Sequence, residues 1–135
     1  MNRKCVRLPL AAIAVLSGLC SATLSAAEFD GSKPLLCATI DAHACDPGEV
    51  CLRALPSELG APQFLRIDFA KKTVTGPQRV TPIRFMQTDA SQILLQGTEF
   101  SFGWTIVLDR EDGTIAVTLV NREDALVLFG ACTAM

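Results

Sequence analysis

The 135-residue sequence has no tyrosine, one tryptophan (Trp104) and one histidine (His43). Scarcity of Tyr and Trp argues against an aromatic recognition platform of the kind that anchors many protein and sugar interfaces. With His43 as the lone imidazole, a hydroxyl nucleophile such as Ser57 or Ser101 has one candidate base, and no nucleophile-elbow pattern surrounds either serine. There is no Cys-x-x-Cys for redox exchange or haem attachment. Long helical patterns, repeats and low-complexity tracts are also missing.

No apolar run is long enough to span a membrane. The longest, Leu8 to Leu19, has 12 residues, where a spanning helix needs about 20. It follows Arg3, Lys4 and Arg7 and precedes the small residues Ser25-Ala26-Ala27, the layout of a secretory leader. The pattern predicts a signal peptide over residues 1–27, cleaved after Ala27, and no retained anchor. Leu19, bulky where lipoproteins carry a small residue, speaks against lipidation of Cys20. The remaining residues, 28–135, suffice for one domain with one modest core.

Cleavage changes the charge balance. Three of the 12 basic residues lie in the leader and none of the 14 acidic ones does, so the mature chain has 9 minus 14, a formal charge of −5. That disfavours nucleic acid or an anionic membrane surface as the main partner, since phosphate neutralisation needs clustered Lys and Arg. The one basic pair, Lys71-Lys72 between Phe69 and Val74, reads as a hairpin tip.

Four cysteines remain after maturation: Cys37, Cys45, Cys51 and Cys132. An even number in a small exported domain reads as disulfides, and four allow three pairings. The turn-forming Asp46-Pro47-Gly48 favours Cys45 with Cys51, leaving Cys37 with Cys132. A zinc site is disfavoured, because Cys-x7-Cys-x5-Cys with a fourth cysteine far downstream lacks the paired short spacings of such sites.

Period-two alternation dominates the rest, as in Leu65/Ile67/Phe69, Trp104/Ile106/Leu108 and Ile115/Val117/Leu119. Strands are predicted near Leu35–Ile40, Val50–Ala54, Phe64–Phe69, Thr73–Thr75, Pro82–Gln87, Gln92–Thr98, Phe102–Leu108, Thr114–Val120 and Leu126–Cys132, with a helical turn over Pro56–Leu59. Pro77 and Pro82 mark an edge or irregular connection between them. Leu126-Val127-Leu128-Phe129 has no polar face, so this last strand should be covered on both sides or lie where the sheet curls onto itself. The predicted fold is all-β: a small, disulfide-braced antiparallel meander forming a closed or nearly closed barrel, first strand beside last. The alternative is an open, curled sheet with the Cys45–Leu59 region over one face.

Pro34-Leu35-Leu36-Cys37-Ala38, the run Phe64 to Lys72, Gly103 to Arg110 with Gly113, and Phe129-Gly130-Ala131-Cys132-Thr133 resemble a group of small exported proteins of Gram-negative bacteria that have no assigned activity. The resemblance covers most of the mature chain through strand and hairpin features of low specificity. It implies a periplasmic or secreted β-protein and carries over no catalytic residue.

Each chemical candidate has a structural counterpart. Asp41-x-His43, near Asp46 and Glu49, is a weak metal candidate against the plainer reading of solvated turn residues. Asp109 to Gly113 has its glycine fifth rather than sixth and no distal Glu, so it fails as a calcium loop and reads as a turn with Gly113 at positive φ. No carboxylate pair, Asp68 with Glu99 included, is singled out for glycosidase chemistry. Trp104 shares its strand face with Ile106 and Leu108, as a core residue does; with Phe85, Phe69 and Leu119 it is the candidate lining of an apolar cavity. No cofactor is implied. The functions that remain are, first, a non-catalytic envelope protein that binds a protein partner; second, a carrier of a small apolar ligand; third, an enzyme, for which no acid, base and nucleophile assemble. An apolar interior cavity of about 300 Å³ or more favours the carrier, and a filled core favours the protein binder.

Overall fold

A computed structural model describes residues 28–135. The predicted leader, with its cleavage point and Cys5 and Cys20, lies outside the described residues. The ten strands are β1 (Leu35–Cys45), β2 (Leu52–Ala54), β3 (Phe64–Asp68), β4 (Thr73–Thr75), β5 (Val80–Pro82), β6 (Phe85–Thr88), β7 (Gln92–Glu99), β8 (Phe102–Asp109), β9 (Thr114–Val120) and β10 (Ala125–Ala134), with one 3₁₀ turn over Pro56–Leu59. They form a single antiparallel sheet in the order β5-β4-β3-β1-β10-β9-β8-β7-β6, and β2 pairs with the end of β1 that β3 leaves free.

The core lies on the concave face. Leu35, Ile67, Ile93, Leu95, Ile106, Leu108 and Leu128 are almost wholly buried there, and register places them side by side: Leu128 faces Val117, Val117 faces Ile106 and Ile106 faces Leu95. The alternation seen in the sequence is therefore the alternation between a packed concave side and an open convex one.

Both disulfides form as the spacing favoured, Cys37 to Cys132 and Cys45 to Cys51. Cys37 is directly opposite Cys132, and β1 pairs with β10 along its length. This pairing does not close the sheet, however: the antiparallel meander is as expected, but where the sequence predicts a closed or nearly closed barrel the fold is a curled half-barrel rather than a closed one. First and last strands meet in the middle of the sheet, and the edges are β5 and β6, halves of one bent segment. β5 lies on β4 and β6 on β7; the Ile83 N–H, one residue past Pro82, still donates to the Lys72 carbonyl at 2.8 Å before the chain crosses to β7. Thr81 Oγ1 donating to the Thr98 carbonyl at 3.2 Å and the Arg84 N–H donating to the Gln96 carbonyl at 2.8 Å tie the bend to β7.

β1 runs five residues past its predicted end because of a bulge. Register shifts between Thr39 and Asp41, leaving Ile40 unpaired. Without that extra residue, period two would carry Asp41 and His43 onto the concave face after Cys37 and Thr39. With it, Ala42 is buried and Asp41 and His43 turn outward. No helix among the described residues is long and apolar enough to cross a membrane.

Candidate functional site

The convex side of β7 to β10 is the feature the sequence points to most directly. By register, one transverse row reads Leu94, Val107, Ala116, Phe129, and the next reads Gln96, Thr105, Thr118, Val127. Most of these side chains are half-buried by their neighbours and by nothing above them; Phe129 is 44% exposed. Over β7 to β10 the single ionisable convex residue is Asp109, at the rim, where its carboxylate accepts the Glu111 N–H at 2.7 Å. The expectation that β10 is covered on both sides is therefore corrected: Leu128 is buried, and Phe129 faces outward.

The bulge adds Ile40, 69% exposed, beside this row. Ile40, Phe129, Ala116, Val107, Thr114 and Gln92 line an open, mainly apolar groove of about 450 Å³. Ser91 and Asp109 also line it, the Asp109 carboxylate accepting the Glu111 and Asp112 N–H groups of its own turn, and the arrangement presents mainly shape and apolar area.

Asp41 and His43 sit at the margin of this face. Arg53 Nε donates to Asp41 Oδ1 at 2.8 Å, and His43 Nε2 lies 3.8 Å from Asp41 Oδ2. The hydrogen bond from Arg53, reinforced by its charge and by His43, holds the Asp41 carboxyl below the ordinary aspartate range. A guanidinium thus occupies the carboxylate that a metal would need. Asp46 and Glu49 do not join the pair, and among the described residues no group of three metal-ligating side chains stands together. His43 meets the Phe129 ring edge-on, with centroids 6.2 Å apart, and no hydrogen bond joins it to a serine or threonine among the described residues. The imidazole is better placed to orient Phe129 than to activate a nucleophile.

The four candidate cavity residues are dispersed. Trp104 and Leu119 line a small open pocket of about 50 Å³ on the concave side, Phe69 is buried elsewhere in the core, and Phe85 is half-exposed on β6. The indole of Trp104 lies where a Cβ on Gly97 would stand. That glycine is what admits the large ring to the core.

Sequence reasoning missed Ile40 and Phe129 as surface residues. The available signal was the absence of a polar alternate along β10, which says that a face is covered but not by what. It also missed Arg79, whose guanidinium stacks on Phe100 at 3.6 Å and lies 3.6 Å from Glu99. Arg79 directly precedes β5, Glu99 ends β7 and Phe100 follows it, so no sequence pattern links them.

Fold and site together define an all-β half-barrel whose outer face over β7 to β10 is mainly apolar, with Asp109 at its rim. Comparison with protein families, curated proteins and solved structures found no match to this chain.

Proposed function

We propose that this chain is an exported, non-catalytic protein of the Gram-negative envelope, periplasmic or secreted, that binds a protein partner through the convex face of β7 to β10. One observation carries the reading. Leu126 to Phe129 of β10 is apolar on both sides and the described residues cover only one, leaving Phe129, with Val107 and Leu94 in its row and Ile40 beside it, as a continuous apolar surface. The two disulfides fit an oxidising compartment, and the likeness to small exported Gram-negative proteins agrees with it. A carrier of a small apolar molecule would need an enclosed space of about 300 Å³ or more, whereas Trp104 lines a pocket of about 50 Å³ that shares Leu65, Val74, Thr81 and Glu99 with a neighbour of about 230 Å³, both open to solvent.

Site-specific photocrosslinking tests this in the protein's own compartment. A photoreactive residue at Ala116 or Val107 is expected to give one discrete protein adduct, and the same residue at Lys71, on the hairpin tip, none. The same adducts from all three positions, or none from Ala116 and Val107, would overturn the reading.

A further inference from the structure

The two edges of the sheet differ in kind. β5 is three residues long and ends in Pro82, with Pro77 upstream, and such features blunt an edge against pairing. β6, Phe85-Met86-Gln87-Thr88, has no proline and no charge, and all four residues are exposed. Among the described residues it pairs with β7 alone. The Asp89 N–H donates to the Gln92 carbonyl at 3.0 Å. Alternation along an antiparallel strand therefore turns Phe85 and Gln87 toward β7, and turns the N–H and C=O of Met86 and Thr88 outward.

The ends of this edge carry opposite charge. At one end are Arg84 and Lys72, brought together by the Ile83 N–H donating to the Lys72 carbonyl at 2.8 Å. Neither is in an ion pair among the described residues. At the other end is Asp89, joined through the Arg110 N–H and the Ser91 carbonyl to the turn carrying Asp109, Glu111 and Asp112. The guanidinium of Arg110 is engaged with the Asp89 and Ala90 carbonyls.

We infer that β6 is a self-association edge: two copies of this chain pair β6 with β6 antiparallel about a two-fold axis at Gln87, and one sheet runs through both. Antiparallel pairing lays the basic end of each edge beside the acidic end of the other, whereas parallel pairing would set like charges together. Met86 exchanges its two backbone hydrogen bonds with the partner's Thr88, Thr88 does so with the partner's Met86, and Gln87 faces the partner's Gln87. The inference uses the edge of the sheet rather than its convex face and stands apart from the reading above.

Sedimentation equilibrium on the disulfide-bonded protein, from about 1 µM to about 500 µM, gives the test. The expected result is a reversible monomer–dimer equilibrium. Met86→Lys, which sets a charge on the edge, and Arg84→Glu, which sets like charges together, should each raise the dissociation constant at least about tenfold, with unchanged Trp104 fluorescence reporting intact folding. Gln87→Cys should cross-link to itself on mild oxidation, since only a residue on the axis meets its own copy, while Gln92→Cys should not. A monomer throughout the range overturns the inference. So does a dimer indifferent to both charge variants in which Gln87→Cys fails to self-link, since such a dimer would use another surface.

Discussion

Cys37 on β1 and Cys132 on β10 face each other in register at the centre of the sheet, 95 residues apart in sequence. The bridge closes nearly the whole domain into one loop, whereas Cys45–Cys51 closes a loop of six. In the chain-entropy account the long loop contributes about 4–5 kcal/mol and the short one about 2 kcal/mol. Urea unfolding of Cys37→Ala/Cys132→Ala and of Cys45→Ala/Cys51→Ala should show losses in that order. Equal losses would mean that unfolded-state entropy is not the main contribution.

Gly130 is the tightest backbone approach on β10. A Cβ there would overlap the Ala38 carbonyl beside the β1 bulge, a backbone group that cannot swing aside. Gly130→Ala should cost about 2–3 kcal/mol. Gly103→Ala, whose Cβ would meet nothing closer than the Val120 carbonyl at 3.9 Å, should cost well under about 1 kcal/mol in the same titration.

Lys72 occupies the left-handed region at φ 53° on the β3–β4 hairpin. Its cost there is relieved by glycine, so Lys72→Gly should stabilise the protein by about 0.5–1 kcal/mol. Differential scanning calorimetry should show a higher melting temperature; a lower one would mean that the side chain makes a contact worth more than the strain.

Acid should weaken the fold through three aspartates. The Ser91 and Gln92 N–H groups hold the Asp89 carboxyl below its ordinary value, the Thr114 N–H does the same for Asp112, and Arg53 does so for Asp41. A depressed folded-state pKa gives stability that is complete above the unfolded value of about 4 and lost as pH falls through the folded value. Melting temperatures should hold between about pH 7 and pH 5 and decline below about pH 4. Asp89→Asn should flatten part of that decline, and an unchanged slope would contradict the assignment.

Much of the architecture could be read in the chain. Period two fixed which residues of β3, β8 and β9 face inward, and Asp46-Pro47-Gly48 favoured the short disulfide. The bulge at Ile40 could not be seen, because its signal is a change of phase: Cys37 and Thr39 face in, then Ala42. Pro77 and Pro82 marked the edge at β5, but closure was not legible, because β1 has two neighbours, β10 and β3. A strand pairing read from two cysteines says who lies beside whom, and leaves open whether the other side is free. The convex face was legible only as an anomaly, a last strand with no polar side.

The two faces of β8 separate stability from binding. Ile106 is 2% exposed on the concave side and Val107 is half-buried on the convex one. Ile106→Glu should unfold the domain, at a cost above about 4 kcal/mol. Val107→Glu should change stability by less than about 1 kcal/mol and abolish the adduct formed from Ala116. Retention of that adduct would place the partner elsewhere.

The most direct test of the central claim is native mass spectrometry of the protein taken intact from its cellular compartment. The expected species has the mass of residues 28–135 less the hydrogens lost in two disulfides, bound to a second, different polypeptide and to no small molecule. A stoichiometric small-molecule adduct on a chain without any such partner would contradict the account.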